Sequence, residues 1–302
     1  MHNKLQKRLL VVGGSGLIGS HISKKCEEFN LSYRSTYFSN KKFKNQIKFD
    51  LNDIEKIHNL ISSNDMLIFC SAAANPNWVF KNQKESYDLN VNKTINFLNK
   101  IKSKVKKIIF LSSVEVFDGK KGNYKENDTK NPLNFYGMTK EKVEDHIENN
   151  FQDYCIIRTG WNIGMDPKQR CVIKLTYQTL LKENAKMAED NFFTITHVED
   201  FASNLLKIIG IVDDKIIHLS SDHKLSRTEL ADYIIKNSKL GPKMKFQSVK
   251  FENINFDEPR SRLNDLNNDL SRNKYNLKFR DPFKTIDQKI KILDDYFSKE
   301  IN

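Results

Sequence analysis

Three side chains in the middle of the chain have the types and spacing of a proton-exchange site. The run Phe135-Tyr-Gly-Met-Thr-Lys140 sets a phenol and an ammonium four residues apart, on one face of any helix that carries them. A free phenol titrates near pH ~10, too high for ready exchange at neutral pH, and an adjacent cation favours the phenolate and lowers that value. Tyr136 and Lys140 are therefore candidates for a proton donor and its tuner. The apolar run Ile108-Ile-Phe-Leu closes on Ser112 and Ser113, and Ser113 lies 23 residues before Tyr136. A serine at the carboxyl end of a strand can hydrogen-bond the substrate oxygen that gains or loses the proton.

A second cluster could hold a phosphate. Leu9-Leu-Val-Val-Gly-Gly-Ser-Gly-Leu-Ile-Gly19 runs an apolar strand into a glycine-rich turn and then into a helical pattern. Gly13, Gly16 and Gly19 permit a tight turn and close backbone approach, and the helix start offers unsatisfied amides at its positive end. Gly13, Ser15, Gly16, Leu17, Ile18 and Gly19 are thus expected to cradle a dinucleotide. Where the second strand ends, no Asp or Glu is available to grip the ribose hydroxyls of NAD. Ser39, Asn40 and Lys41 stand there instead, with Arg34 nearby, and could hold a 2′-phosphate. This favours NADPH, with NADH as the alternative if those lysines form only a solvated loop.

These groups need a scaffold that gathers strand ends. Apolar, β-branched runs alternate with helix-period segments to about residue 160, which predicts an α/β fold: a Rossmann-type doubly wound parallel sheet covered on both faces. Strands are expected at 8–12, 32–38, 66–70, 107–112 and 154–158, and helices at 17–29, 53–62, 85–101 and 135–150, with Asp53 and Asn134 as amino-terminal caps. Beyond residue 160 the alternation loosens. A strand is expected at 192–197, a helix at 199–209, a strand at 215–220, and helices at 227–237 and 283–297, where Ile286, Ile290, Leu293 and Phe297 share a face. The expected division is a dinucleotide-binding domain over 1–160, to which 192–220 returns, and a smaller mixed α/β substrate-binding portion from 161–191 and 221–302.

Composition narrows the class. A chain of 302 residues with 38% hydrophobic content can bury a large cofactor domain with a smaller one attached. The amino-terminal lead-in is polar and basic, and no apolar run approaches the roughly 18 residues of a membrane span, so a cytoplasmic chain with no membrane partner is expected. Cys26, Cys70, Cys155 and Cys171 lie far apart and read as reduced and inert. The formal charge of +12 raises the question of nucleic acid, but the lysines are scattered among Asn, Asp and Glu, with no zinc-finger or aromatic RNA-binding motif. No nucleic-acid partner is expected; the positive field suits an anionic substrate. No metal is expected either, because the histidines lack ligand spacing, and His197 reads as a core or hinge residue.

Taken together, Gly13xxGly16xxGly19, Ser112-Ser113, Val116-Phe-Asp-Gly119, Asn131-Pro-Leu-Asn-Phe-Tyr-Gly137 and Tyr136xxxLys140 resemble the extended short-chain dehydrogenase/reductases of the NAD-dependent epimerase/dehydratase type. The nearest pattern is that of dTDP-4-dehydrorhamnose reductases. Arg158-Thr-Gly-Trp161, His197-Val-Glu-Asp200 and Pro259-Arg-Ser-Arg-Leu263 extend the likeness over most of the chain. The resemblance implies Tyr136 as proton donor, Lys140 as its tuner and a ribose ligand, and Ser113 as the oxygen-holding partner. It further implies adenine contacts from Asp50 and Leu51, a backbone run beside the cofactor at Ser71, Ala72 and Ala73, and support from Asn90. Arg260 and Arg262 fall where guanidiniums would meet the phosphates of a nucleotide sugar. Trp161 either packs on nucleotide or sugar or fills a domain junction, with Asn162 beside it as a substrate contact.

The pattern also departs from the family. Ser113-Val-Glu-Val-Phe-Asp-Gly119 replaces the Thr-Asp-Tyr-Val-Phe-Asp-Gly usual in rhamnose-type reductases, and Glu258-Pro replaces their Arg-Pro. Glu115 stands where sugar 4,6-dehydratases place the glutamate of an Asp-Glu pair, but Val114 replaces its partner. Dehydration needs both an acid and a base, so it is disfavoured, and Glu115 reads as a structural or substrate-hydroxyl contact. The expected activity is NAD(P)H-dependent reduction of a nucleotide-linked 4-keto-6-deoxy sugar, in surface polysaccharide or deoxysugar biosynthesis, by a chain that could pair as a homodimer. The rivals are an epimerase with tightly bound NAD and a non-catalytic dinucleotide-binding subunit that regulates a partner enzyme.

Overall fold

A computed structural model describes residues 8–53, 55–58, 61 and 65–301; the lead-in before residue 8 lies outside the described residues. In chain order the strands are β1 Leu9–Val12, β2 Tyr33–Tyr37, β3 Gln46–Lys48, β4 Asp65–Phe69, β5 Val105–Leu111, β6 Tyr154–Arg158, β7 Trp161–Ile163, β8 Lys186–Ala188, β9 Phe192–His197, β10 Ile216–His218, β11 Lys224–Ser226, β12 Gln247–Val249 and β13 Leu263–Asn264. The helices are α1 Leu17–Glu28, α2 Glu55–His58, α3 Pro76–Lys81, α4 Gln83–Tyr87, α5 Thr94–Ile101, α6 Phe135–Asn150, α7 Val172–Leu180, α8 Val198–Ile208, α9 Arg227–Asn237, α10 Asp269–Asn273 and α11 Pro282–Ile301.

Seven strands form one parallel sheet in the order β10-β6-β5-β4-β1-β2-β3. Its central strands β1, β4, β5 and β6 carry apolar runs such as Leu9–Val12 and Ile108–Leu111 because both faces are covered there. Leu9, Val11, Ile68, Ile109 and Ile157 point to the side where Ile22 of α1 and Phe201 and Leu205 of α8 pack. Leu10, Val12, Leu67, Phe69, Phe110 and Ile156 point the other way, against Phe97 and Leu98 of α5 and Val143 and Ile147 of α6. This is the Rossmann-type α/β fold expected from the sequence. The strand order reverses between β1 and β4, so the carboxyl ends there open a crevice rather than a closed edge.

Beyond β6 the chain builds a second, smaller assembly. The central strand β9 pairs antiparallel with β11 on one edge and parallel with β7 and β13 on the other, and β8 pairs with β12 apart from it. Ile286, Ile290, Leu293 and Phe297 of α11 are buried there against α7 and α9, the face expected from their spacing. α8 packs back onto α1, and β10 joins the first sheet.

Some elements differ from expectation. The helix expected over 85–101 runs as α4, a π-helical stretch Asp88–Lys93 and then α5. Of the helix expected over 53–62, Glu55–His58 is helical, and residues 54, 59, 60 and 62 lie outside the described residues. Edge strand β3 has three residues and a single aliphatic side chain, too little for a period to register. Among the described residues no helix is long and apolar enough to cross a membrane.

α6 is tied to the sheet by a buried ion pair. Arg158 at the end of β6 donates to both carboxylate oxygens of Glu144, at 3.1 and 2.7 Å, and to the Glu126 carbonyl at 3.1 Å. Both side chains are almost wholly buried, at 1% and 0% exposure, so removing one charge strands the other in a medium that solvates it poorly. Glu144→Gln is expected to cost about 3–5 kcal/mol of unfolding free energy, measured by urea denaturation; a loss below about 1 kcal/mol would refute this account of how α6 is anchored.

Candidate active site

The glycine turn between β1 and α1 is shaped by steric necessity. Gly13 has φ +82°, and a Cβ there would come within 2.8 Å of the Ser71 amide; a Cβ on Gly19 would collide with the Gly13 carbonyl oxygen. The Gly16 amide donates to that same oxygen at 3.0 Å. α1 begins after Gly16 with no side-chain cap, so its first-turn amides are left for something else. Gly16, Leu17, Ile18 and Gly19 line the central cleft, and Ser15 is half-buried within the turn. An uncapped helix start opening on a cleft, reached through a turn with no room for Cβ atoms, fits the pyrophosphate of a dinucleotide.

Gln46 fastens this turn to the loop after β2. Its amide donates to the Gly14 carbonyl at 2.8 Å, and its oxygen accepts from the Lys42 and Phe43 amides at 2.8 and 3.2 Å. Ser39, Asn40 and Lys41 stand exposed on that loop, with Lys41 over the Tyr37 ring, and do not line the central cleft. Asp50 accepts from the Asn52 amide at 2.8 Å, while the Leu51 side chain is buried in the core. Ala72 lines the cleft between Ser71 and Ala73. Asn90, from the π-helical stretch, braces that run: it accepts from the Ala73 amide at 2.8 Å and donates to its carbonyl at 3.0 Å.

The proton-exchange residues converge in the same cleft, a volume of about 450 Å³ that Ser112, Ser113, Tyr136 and Lys140 all line. Asn134 caps α6 as expected, accepting from the Gly137 amide at 2.8 Å. A Cβ on Gly137 would strike the Glu115 carbonyl oxygen, so only glycine lets α6 press against the 3-10 turn Val114–Val116. Ser113 opens that turn, its hydroxyl oxygen accepting from the Glu115 amide at 3.2 Å. Lys140 donates to the Leu111 carbonyl at 2.9 Å, with its Nζ 4.8 Å from the Phe110 ring and 5.9 Å from the Tyr136 ring.

The electrostatics correct one expectation. Burial, reinforced by the Glu115 carboxylate, pushes the Tyr136 phenol up, and the nearby ammonium does not bring it below its ordinary value. Lys140 spends its hydrogen bond on a backbone carbonyl, and burial pulls it down to about 8. Desolvation of the phenolate therefore outweighs the cation, and burial holds Tyr136 in its neutral form.

Glu115 is held rather than free. Its carboxylate accepts from Asn134 at 2.6 Å, Asn264 at 3.2 Å and Ser261 at 3.3 Å. Asn162 donates to Thr159 at 2.8 Å, but its side-chain oxygen and the Ser112 hydroxyl, both at cleft residues, are buried with no hydrogen-bond partner among the described residues. Trp161 also lines the cleft. Arg260 does so while paired with Glu258 at 3.3 Å and bonded to Asn77, whereas Arg262 faces outward, paired with Asp190 at 3.3 Å. His197 caps α8, accepting from the Glu199 amide at 3.2 Å. Sequence reasoning missed Arg170, Arg227 and Asn264. Arg170 follows an irregular loop and Arg227 opens a helix, so neither carries a local signal that distinguishes it from a surface charge.

Comparison with known proteins places the chain in a family. The family model described as the RmlD substrate binding domain matches residues 7–293. Methionine adenosyltransferase 2 subunit beta from Bos taurus is 24% identical over 235 residues, spanning 74% of this chain and 70% of that protein. Among solved structures, a hypothetical dTDP-4-dehydrorhamnose reductase from Sulfolobus tokodaii is 26% identical with TM-score 0.72, covering 88% of this chain and 94% of that one. A dTDP-4-dehydrorhamnose reductase from Clostridium acetobutylicum superposes with TM-score 0.78 at 22% identity, over 95% and 99% of the two chains. One from Bacillus anthracis, solved in complex with NADP, does so with TM-score 0.74 at 17% identity, over 95% and 98%. With glycine turn, serine, tyrosine and lysine gathered on an extended short-chain dehydrogenase/reductase-type fold, and a family model matched across nearly its whole length, the chain belongs to the RmlD substrate-binding domain family.

Proposed function

We propose that this chain is an NAD(P)H-dependent reductase, with NADPH favoured, that reduces the 4-keto group of a nucleotide-linked 6-deoxy sugar in surface polysaccharide or deoxysugar biosynthesis. The observation that carries the proposal is the single cleft in which the uncapped amides of α1 meet Ser113, Tyr136 and Lys140. Family membership and the reductase neighbours support its coarser half, an NAD(P)-dependent oxidoreductase. The dinucleotide would lie on the portion built from residues 1–160, with Ser71, Ala72 and Ala73 beside it, Asp50 and Leu51 at its adenine, and Ser39, Asn40 and Lys41 at a 2′-phosphate. The sugar nucleotide would lie toward 161–191 and 221–302, against Trp161, Asn162 and Glu115.

When bound, reduced nicotinamide supplies a hydride to the carbonyl carbon. The chain's own groups handle the oxygen. Ser113 accepts from the Glu115 amide and so has its hydroxyl proton free to donate to the substrate oxygen. Tyr136, kept neutral by burial, gives its proton to that oxygen as negative charge develops there. Lys140, as the ammonium, then stabilises the phenolate left behind, and would also hold the ribose.

Anaerobic incubation with NADPH and a panel of nucleotide 4-keto sugars is expected to consume the reduced cofactor, followed by its absorbance. Tyr136→Phe should lower kcat about 100-fold or more while leaving NADPH affinity unchanged. No oxidation across the panel by protein that binds NADPH would overturn the proposal.

The pH profile is a second check. Lys140 is charged below about 8 and neutral above it, so the reductive rate should hold level through neutral pH and decline as pH rises through about 8. A rate that stays level to about pH 10 would show that the ammonium is not required.

One observation favours a second reading. The curated relative is named as a subunit of an enzyme, so this chain could act as a dinucleotide-binding partner of another protein. Full biological activity in a Tyr136→Phe variant would select that reading over the reductase.

A further inference from the structure

We propose that Arg170 and Arg227, rather than Arg260 and Arg262, form the pair that grips the diphosphate of the nucleotide ligand. The proposal rests on the reading that the cleft takes a nucleotide sugar, and it names the side chains that hold the anion. A second cleft of about 310 Å³ adjoins the catalytic one, the two sharing Glu115, Trp161, Arg170, Arg260 and Asn264 in their walls. Arg227 lines the second cleft. Three guanidiniums therefore face one continuous space.

Their charges are not equally available. Arg260 is matched by the wholly buried Glu258 at 3.3 Å, and Arg262 by Asp190 at 3.3 Å outside the cleft. Among the described residues no carboxylate pairs with Arg170 or Arg227. Arg227 donates to the Thr176 hydroxyl at 2.8 Å and stacks 5.2 Å from Phe193; Arg170 lies 5.7 Å from the Trp161 ring. Arg227 is pulled down to about 10 by burial and by Arg170, and Arg170 is lowered by desolvation and by Arg260, with Glu258 and Glu115 offsetting part of that. Three guanidiniums face this space with two carboxylates near them, Glu115 and Glu258, of which only Glu258 is in ion-pair contact with one, Arg260. Positive charge is left over that a ligand anion can balance. A diphosphate, with one ionised oxygen on each phosphate, does so with the geometry that paired guanidinium donors suit.

The site is also pre-formed. Lys289, fully buried, donates to the Gly164 and Asp166 carbonyls at 2.9 and 2.7 Å. Gln169 accepts from the Gly164 amide at 2.8 Å and donates to the Asn162 carbonyl at 3.2 Å. The loop that presents Arg170 is thus fixed before any ligand arrives. Phe251 and Phe256, their rings 5.2 Å apart, stand elsewhere in the wall of the second cleft and offer aromatic surface to a base. A nucleoside diphosphate should therefore bind more tightly than inorganic pyrophosphate.

The test is calorimetric titration of the NADPH-loaded protein with dTDP, UDP, GDP and inorganic pyrophosphate. Arg170→Gln and Arg227→Gln are expected to weaken the best nucleoside diphosphate about ten- to hundredfold, and Arg262→Gln less than about twofold. NADPH affinity, unchanged in all three, reports that each variant is folded. Where Arg227→Gln fails to fold, Arg227→Lys keeps the charge but loses the paired donors and should weaken binding about tenfold; if that fails too, exposed Arg170 decides alone. Diphosphate affinity within about twofold of wild type in a folded Arg170 or Arg227 variant overturns the proposal, as does an equal loss in Arg262→Gln. If the wild-type protein still oxidises NADPH with a 4-keto sugar in that case, the reductase reading survives. Wild-type protein that binds no diphosphate overturns the proposal, and the reductase reading falls with it only if NADPH oxidation is absent as well.

Discussion

The position of the reactive phenol follows from one steric constraint, the approach of α6 to the turn after β5. That approach is possible only because Gly137 has no Cβ to strike the Glu115 carbonyl. Asn134 then uses its two amide ends for two purposes: the oxygen caps α6 at the Gly137 amide, and the nitrogen donates to the Glu115 carboxylate at 2.6 Å. Helix start and turn are thereby locked together, and Ser113 and Tyr136 come to the same wall although 23 residues separate them. From the far side, Lys140 reaches back to the Leu111 carbonyl at the end of β5. The helix is held at its first turn, at the end of its second, and at Glu144 by Arg158.

Buried charge is distributed unevenly around this helix, and the unevenness separates structure from chemistry. Arg158 and Glu144 satisfy each other with two hydrogen bonds, as a pair kept for rigidity should. Glu115 likewise has three donors. Among the described residues Lys140 donates only to a neutral carbonyl and lies near two aromatic faces, and no hydrogen bond holds the Tyr136 hydroxyl. Groups left short of partners in a cleft retain the capacity to exchange protons, which fully paired groups have lost.

Legibility in the sequence tracks how local the signal is. The first sheet was readable because the middle residues of its central strands, buried on both faces, form short apolar runs; β3, three edge residues with one aliphatic side chain, was not. Gly13, Gly16 and Gly19 declared their turn because steric need and spacing coincide within seven residues. The lysine spacing on α6 was equally plain. The direction of the Tyr136 shift was hidden, since it depends on burial and on a carboxylate from another segment. Arg170 and Arg227 were hidden for the same reason: a cluster of charges drawn from a loop and a helix start has no sequence period.

The departure at residue 258 bears on Arg170 and Arg227, the two cleft guanidiniums with no ion-paired carboxylate among the described residues. Glu258 is buried at 1% exposure with neither carboxylate oxygen hydrogen-bonded, and burial pushes its carboxyl up, so Arg260 beside it is its principal compensation. Arg260 is correspondingly occupied. A cleft with an arginine already neutralised by its own chain cannot offer that charge in full to an anion, because gaining the ligand would mean abandoning a buried carboxylate. The cation deficit has to be made up elsewhere on the same wall. Arg170 and Arg227 line the second cleft beside Arg260, with no carboxylate in ion-pair contact among the described residues, and on our proposal they supply the charge that Arg260 does not.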